Sequence, residues 1–297
     1  MDDSDGMTSL AEARVRGLAQ RLALDTGWPR RLAADAEPPA HTHRIRLTDH
    51  DTIVAQRGDT GPAVLLVHAL GLDWRMWAPV MDVLADGRRV YAYDVRGHGV
   101  AAGSPSPYTM ADTARDLIGV LDAIGVQRAH VVGLSFGGGI AQTAAVAAPE
   151  RFASLSLLAT TDFPFDAFEG RASSGETEGM AAQVAPSLTR WFTADALAVN
   201  GDSVRYARER VLGGDSRDWA AAWRAFKGLD VQGKLAGLGL PTLVLAGAAD
   251  VSTTPEIMRG IASRIPDARY RELPGTPHMQ TLERPELVAE ALAEFLA

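Results

Sequence analysis

The chain has 297 residues, 46% of them hydrophobic, and carries a net charge of −8 at pH 7. Its length and apolar content predict a buried core, built either as one large α/β domain with an inserted segment or as two smaller domains. The acidic balance argues against nucleic acid or an anionic membrane as a partner, because both attract positive surfaces. The absence of cysteine excludes disulfides, thiolate metal sites and a cysteine nucleophile.

Residues 1–41 are predicted to form an N-terminal extension. Charged residues between Glu12 and Arg21 interrupt any secretory leader, and no apolar run is long enough to span a bilayer, so a cytoplasmic location is expected. Apolar residues at helical spacing behind Ser9 predict an amphipathic helix over 9–24. We expect this helix to pack on the flank of the domain, with a dimer arm as the alternative.

Short apolar strands alternate with helical segments between residues 42 and 158. A hairpin is predicted at 42–47 and 52–56, further strands at 63–68, 89–93, 131–134 and 152–158, and helices at 77–84, 111–124 and 140–148. This alternation indicates βαβ units and a mostly parallel sheet, with ligands at the carboxyl ends of its strands.

The alternation stops near Asp162, and residues 163–236 are predicted to form a helical lid inserted after the sixth strand. Its bulky apolar residues are expected to form partly the core of the lid and partly the wall of a substrate pocket: Phe163, Phe165, Phe168, Met180, Trp191, Phe192, Trp219, Trp223 and Phe226. Strands at 241–245 and 269–273, a helix from 255 and a closing helix at 287–296 resume the core pattern. The core is thus assigned to 42–162 and 237–297, around an eight-stranded sheet.

The most informative stretch is the G-x-S-x-G motif Gly133-Leu134-Ser135-Phe136-Gly137. It follows an apolar strand and precedes a helix, which is the context of a nucleophile elbow. The flanking glycines permit a very tight turn, in which the serine takes a strained backbone conformation. The Ser135 hydroxyl is then lifted above the sheet beside a helix N-terminus, where free N–H groups favour developing negative charge.

A serine nucleophile requires a base within hydrogen-bond reach, and the base requires an orienting carboxylate. Asp250 and His278 each follow one of the last two predicted strands, at the same edge of the sheet as Ser135. We therefore predict Asp250 as the acid and His278 as the base.

Other acids and histidines lie near the same edge. Asp162 follows the sixth strand and is the alternative acid. Asp94 and His98 lie in a glycine-rich turn after the fourth strand, where structural roles are expected.

A tetrahedral intermediate requires at least two N–H donors directed at its oxyanion. The N–H of Phe136, next to the nucleophile, is predicted as one donor. The other is expected from residues 68–71, here called the oxyanion loop, with Leu70 as the predicted residue.

The strands, elbow, acid and histidine together resemble the α/β-hydrolase superfamily over residues 42–297. Within it, the chain is most similar to 3-oxoadipate enol-lactonases and related lactone or ester hydrolases. The residues that carry this likeness are His68-Ala69-Leu70-Gly71-Leu72-Asp73, Trp77, Tyr93-Asp94-Val95-Arg96-Gly97-His98-Gly99, Gly133-Leu134-Ser135-Phe136-Gly137-Gly138, Arg190-Trp191-Phe192, Ala246-Gly247-Ala248-Ala249-Asp250, Pro277-His278, Glu283 and Pro285. Two features depart from the family pattern: Ala69 stands where many members have glycine, and the N-terminal extension is not expected of enol-lactonases.

The resemblance implies a hydrolase without metal or cofactor, in which Ser135 attacks the acyl carbon of a small ester or lactone. His278 would be its base, Asp250 would orient His278, and Leu70 and Phe136 would bind the oxyanion. Trp191, Phe163, Met180 and Arg190 are predicted to line the substrate pocket. Arg190, Arg75 and Arg96 are candidates for binding a substrate carboxylate, although a solvated or structural role is the default for each. A homodimer is a further expectation.

Related activities give the alternatives. Ser135 excludes the route of epoxide hydrolases and haloalkane dehalogenases, which need a carboxylate at the elbow. Cofactor-free C–C bond hydrolases and perhydrolases share parts of the pattern, but Leu134 stands where the former commonly have asparagine. A small-molecule receptor that retains the three residues is the alternative of another class.

Overall fold

The computed structural model describes residues 41–297, which form an eight-stranded sheet covered by helices. The strand order is β1-β2-β4-β3-β5-β6-β7-β8. The strands are His41–Arg46 (β1), Asp51–Arg57 (β2), Ala63–Val67 (β3), Arg89–Tyr93 (β4), Ala129–Leu134 (β5), Phe152–Leu158 (β6), Thr242–Gly247 (β7) and Arg269–Leu273 (β8). β2 pairs antiparallel with β1 and β4, and every other neighbouring pair is parallel. The predicted fold is confirmed.

Helices cover both faces of this sheet, as parallel strands require. They are Ala78–Leu84 (α1), Met110–Ala123 (α2), Phe136–Ala147 (α3), Ala167–Glu178 (α4), Met180–Trp191 (α5), Ala194–Val199 (α6), Asp202–Leu212 (α7), Ser216–Lys227 (α8), Pro255–Arg264 (α9), Gln280–Glu283 (α10) and Pro285–Phe295 (α11). Among the described residues, no helix combines the length and apolar character needed to cross a bilayer.

The central strands are buried along their whole length. Every side chain of β3 and β7 is buried, and so is every residue of β6 except Ala153. Such continuous Val, Leu and Ala runs bury both faces of a strand and therefore require helices on both sides. Polar residues consequently reach the surface mainly at the strand ends, where the loops begin.

Residues 163–236, the inserted segment, follow β6 and contain helices α4 to α8 without a strand. An aromatic cluster packs this segment together and onto the core. Phe168 of α4 stacks on Phe226 of α8 with ring centroids 4.7 Å apart, and Phe226 contacts Phe136 of α3 at 5.3 Å. The aromatic residues predicted for the lid thus join α4, α8 and the start of α3.

The helix after the nucleophile turn starts earlier than the sequence predicts. The helix predicted from Ile140 begins at Phe136, so Gly137, Gly138 and Gly139 lie inside it although glycine disfavours helices. All three approach other parts of the chain closely: Gly137 the backbone of β3, Gly138 the side chain of Thr160, and Gly139 the side chains of Phe226 and Met110. Tertiary packing thus overrides the local propensity. The helix predicted at 9–24 lies outside the described residues.

Candidate active site

The loop from β5 to α3 holds Ser135 in a strained conformation. Its φ of +55° and ψ of −116° lie where an L residue is rarely found. A Cβ on Gly133 would lie 2.2 Å from the carbonyl oxygen of Gly137, and one on Gly137 would lie 2.2 Å from that of Val67. The two glycines of the motif are therefore required by the close approach of backbone to backbone.

Hydrogen bonds also fix the backbone N–H and carbonyl groups of Ser135. The Thr160 hydroxyl, just after β6, donates to the Ser135 carbonyl oxygen at 2.7 Å, and the Ser135 N–H donates to the Leu158 carbonyl at 2.9 Å. The backbone N–H and C=O of Ser135 are thus both bound to β6 and the loop after it, so the side chain is the part of Ser135 that faces the site.

The structure brings Ser135, His278 and Asp250 together although they are far apart in the chain. Nε2 of His278 lies 3.1 Å from Oγ of Ser135, and Nδ1 lies 2.9 Å from Oδ2 of Asp250. Ser135 retains 9% of its exposure, and the other two retain 3% each. A continuous hydrogen-bonded chain therefore runs from carboxylate to hydroxyl in a site with little water.

Asp250 is held in its charged form by the turn that follows β7. Oδ1 accepts the N–H groups of Ser252 at 2.7 Å and Thr253 at 3.0 Å, and Oδ2 accepts the Thr253 hydroxyl at 2.8 Å. Burial raises the pKa of Asp250, but the pairing with His278 and the donors from Ser252 and Thr253 outweigh burial. The net pKa therefore lies below the ordinary value. The turn after β7 thus favours the carboxylate form of Asp250.

The two residues predicted as oxyanion donors lie beside Ser135. Phe136 is the first residue of α3, so its N–H has no acceptor within the helix. Leu70 lines the same cavity as Ser135. The neighbouring Gly71 N–H is occupied, because it donates to Nε2 of His98 at 3.0 Å. His98 therefore fixes the oxyanion loop rather than facing the nucleophile, in line with its expected structural role.

The alternative acids have other partners. Asp94 accepts the N–H groups of Trp74 at 3.0 Å and Val100 at 2.7 Å, and so joins two loops. Asp162 lies 3.2 Å from the guanidinium of Arg264. His278 is hydrogen-bonded to Asp250, not to Asp94 or Asp162.

A cavity of about 20 Å³ lies over Ser135 and is walled by the core and the inserted segment. Its described lining residues are Leu70, Ser135, Thr161, Phe165, Phe168, Arg171, Arg190, Trp191, Trp223, Phe226, Ser252, Thr253, His278 and Met279. Trp191 and Arg190, two of the predicted pocket residues, thus lie in the wall of the cavity beside Ser135. A volume of this size has room for about one water molecule.

The other two predicted pocket residues are not among that lining. Met180 lines a separate cavity of about 190 Å³ with Gly71, His98 and Arg210. Helix α5 begins at Met180 and runs to Trp191, so its two ends lie in the walls of different cavities, and a role of Met180 in substrate binding stays a prediction. Phe163 lies behind two lining residues: its ring centroid is 5.3 Å from that of Phe165, and its carbonyl accepts the Thr161 hydroxyl at 2.8 Å.

Arg171 was missed by the sequence analysis, and it is the second cation in the wall of the cavity. Its guanidinium lies over the ring of Trp223 at 4.7 Å, and Arg190 donates to the Ser187 hydroxyl at 3.4 Å. Burial and the nearby Arg171 lower the pKa of Arg190 to about 9, and burial lowers that of Arg171. Within the described part of the chain, neither arginine has a carboxylate partner.

The other candidate arginines are already neutralised. Arg96 donates to Asp49 and Asp116 at 2.8 to 3.0 Å. These two aspartates and His50 lie close enough to share a cation, and the guanidinium of Arg96 supplies the positive charge between the carboxylates. This cluster therefore does not suit a metal. Arg75 pairs at 3.1 Å with the carboxylate of the N-cap residue of its own helix.

Comparison with known proteins agrees with this architecture. Residues 62–285 match the model of the alpha/beta hydrolase fold family. 3-Oxoadipate enol-lactonase 1 of Acinetobacter baylyi is 30% identical over 260 residues, which cover 86% of this chain and 97% of that protein. The chain therefore belongs to the α/β-hydrolase family, and it is an enzyme of the hydrolase class.

Two solved structures are similar over most of their length. The enol-lactonase from Burkholderia xenovorans LB400 has a TM-score of 0.83 at 29% identity, and covers 86% of this chain and 99% of its own. A thermophilic esterase from Thermogutta terrifontis, solved with malate bound, has a TM-score of 0.80 at 30% identity over 86% of this chain and 98% of its own. The resemblance stated from the sequence is thus confirmed at the level of the family and its enol-lactonase relatives.

Proposed function

We propose that this hydrolase cleaves a carboxylic ester or lactone through an acyl-enzyme intermediate on Ser135. The observation that carries the proposal is the unbroken chain from Asp250 through His278 to Ser135, with contacts of 2.9 and 3.1 Å. A serine hydroxyl at the end of such a chain has a base for its proton and a counter-charge for the imidazolium that results.

In the first step, Oγ of Ser135 forms a bond to the acyl carbon while its proton passes to Nε2 of His278. The carbonyl oxygen becomes an oxyanion that accepts the N–H groups of Phe136 and Leu70. The bond to the leaving oxygen then breaks, and His278 returns the proton to that oxygen. In a lactone, the freed hydroxyl stays attached to the acyl group.

In the second step, a water molecule loses its proton to His278 and attacks the acyl carbon. Collapse of this second intermediate returns the proton to Oγ of Ser135 and releases the acid. Asp250 stays ionised throughout and stabilises the imidazolium formed in each step.

Ser135→Ala tests this assignment with short-chain p-nitrophenyl esters. Removal of the nucleophile should reduce kcat by at least about 10⁴-fold, since removing any member of such a triad costs that much. The matched control is Ser263→Ala, because Ser263 is exposed on α9 and bonds only within its own helix.

The assignment would be wrong if Ser135→Ala kept its turnover while remaining folded by circular dichroism. If the wild-type protein turned over no compound in an ester and lactone panel but was labelled at Ser135 by a fluorophosphonate, the receptor alternative would gain support. C–C hydrolase and perhydrolase substrates belong in the same panel.

The substrate is further proposed to carry an acid group, as an enol-lactone with a free carboxylate does. Arg171 and Arg190 both line the cavity of Ser135, and among residues 41–297 neither has a carboxylate partner. Two half-buried like charges are costly unless an anion joins them. A substrate carboxylate between the two guanidiniums supplies that anion and orients the acyl carbon toward the nucleophile.

Paired substrates test this second point, namely the same ester with a free carboxylate and with that carboxylate methylated. Arg190→Met should raise KM for the anionic ester roughly 10- to 100-fold, the value of a hydrogen bond to a charged group. It should leave the neutral ester almost unchanged. Arg171→Met should act in the same direction, whereas Arg115→Met, at an exposed position on α2, serves as the control. An equal effect on both esters would contradict the acid-group proposal and leave the triad assignment intact.

A further inference from the structure

Thr253 makes a contact that neither the motif nor the family resemblance indicates. Its buried hydroxyl donates to Oδ2 of Asp250 at 2.8 Å, the same oxygen that Nδ1 of His278 approaches at 2.9 Å. The hydroxyl oxygen itself lies 3.3 Å from Nδ1. The Thr253 hydroxyl therefore contacts both the acid and the base.

The carboxylate of Asp250 is fixed from two directions. Backbone N–H groups of Ser252 and Thr253 hold Oδ1, and the Thr253 hydroxyl holds Oδ2. Without the hydroxyl, the oxygen that faces His278 would be held by the imidazole alone. The N–H groups on Oδ1 would then be the remaining protein restraint on the plane of the carboxylate, and the imidazole that it orients would be held less firmly.

The direction of the Thr253 hydroxyl also bears on the tautomer of His278. A hydroxyl has a single proton, and here it is donated to Asp250. Nδ1 of His278 then keeps its own proton, which it donates to Asp250, so Nε2 is free to accept from Ser135. A hydroxyl that donated to Nδ1 would select the opposite tautomer, in which Nε2 carries a proton and cannot act as a base.

We propose that Thr253 is a positioning residue, whose hydroxyl sets the plane of the Asp250 carboxylate and thereby the tautomer and direction of His278. This inference rests on the proposed acyl transfer by Ser135. It concerns the chemical step rather than substrate binding, although Thr253 also lies in the cavity wall.

Thr253→Val tests the proposal because valine has almost the same shape without the hydroxyl. With p-nitrophenyl acetate, kcat should fall by about tenfold, the value of a hydrogen bond to a charged group, while KM stays nearly constant. Thr253→Ser, which keeps the hydroxyl, should retain most of the wild-type kcat.

A second measurement needs no variant. Nitrogen NMR of the wild-type enzyme at neutral pH should show His278 protonated at Nδ1 and unprotonated at Nε2. A Thr253→Val enzyme with wild-type kcat, equal losses in the valine and serine variants, or a resting His278 protonated at Nε2 would each overturn the proposal. Ser135→Ala separates the two hypotheses: turnover that survives it overturns the proposed function, whereas an inactive Ser135→Ala beside an unaffected Thr253→Val overturns only the role of Thr253.

Discussion

At the residue scale, the oxyanion loop depends on two neutral histidines that do not touch the nucleophile. His68 accepts the Val95 N–H at 2.8 Å through Nε2 and donates from Nδ1 to the Ala69 carbonyl at 2.8 Å. His98 accepts the Gly71 N–H in the same way. Each ring uses one nitrogen as donor and the other as acceptor, which only neutral imidazole can do. The loop that carries Leu70 is therefore held by groups that must remain unprotonated.

This arrangement predicts a loss of stability in acid. Burial, with the nearby His98, lowers the pKa of His68 from 6.5 to about 3. Between these values the unfolded chain binds a proton that the folded chain does not. The free energy of unfolding should therefore fall as the pH falls from 6.5 toward 3, by about 1.4 kcal/mol per pH unit for this group.

Urea unfolding from pH 7.5 to 4.5 measures that slope. His68→Gln, which keeps one donor and one acceptor but does not titrate, should be less stable than wild type at pH 7.5 and should lose less stability on acidification. His43→Gln, at an exposed position on β1, is the control. Identical slopes for wild type and His68→Gln would show that His68 does not contribute.

At the scale of elements, the start of α3 combines a strained serine with three successive glycines. A Cβ on Gly137 would meet the Val67 carbonyl at 2.2 Å, whereas one on Gly139 would meet the movable rings and methyls of Phe226 and Met110 at 2.8 and 3.2 Å. Backbone cannot move without displacing β3, but a side chain can turn. The two glycines therefore differ in function although they are neighbours.

Alanine substitutions test this difference. Gly137→Ala should lower the free energy of unfolding by roughly 3 kcal/mol or more through overpacking, or prevent soluble expression. Gly139→Ala should cost far less, since alanine gains roughly 0.5–1 kcal/mol in a helix interior. Thermal unfolding and soluble yield give both values, and equal effects would contradict the packing argument.

The same elements show what the sequence could predict. The strands, the elbow around Ser135 and the order of Asp250 and His278 follow from local patterns, because apolar runs and glycine spacing determine them directly. The start of α3 could not be predicted from propensity, since the glycines there make close contacts with distant parts of the chain. Arg171, Thr253 and the different cavity of Met180 were also missed, because helix packing in the inserted segment and the turn after β7 place these side chains.

At the scale of the whole molecule, the inserted segment supplies one wall of the cavity over Ser135. Helices α4, α5 and α8 supply Phe168, Arg171, Arg190, Trp191 and Trp223 to the cavity wall, and the sheet edge supplies the reacting groups. The cavity of about 20 Å³ has room for about one water molecule. We therefore propose that part of the inserted segment moves away from the core when an ester or lactone enters, and that its return excludes water from the charged intermediates.

Covalent labelling with a small fluorophosphonate tests the central claim, because the probe must enter this cavity and meet an activated hydroxyl. Peptide mass spectrometry should place the adduct on Ser135 in the wild-type protein, and His278→Gln should slow the labelling by about a hundredfold or more, the value of a positioned general base. An adduct on another residue, or labelling at the wild-type rate in folded His278→Gln, would contradict the account.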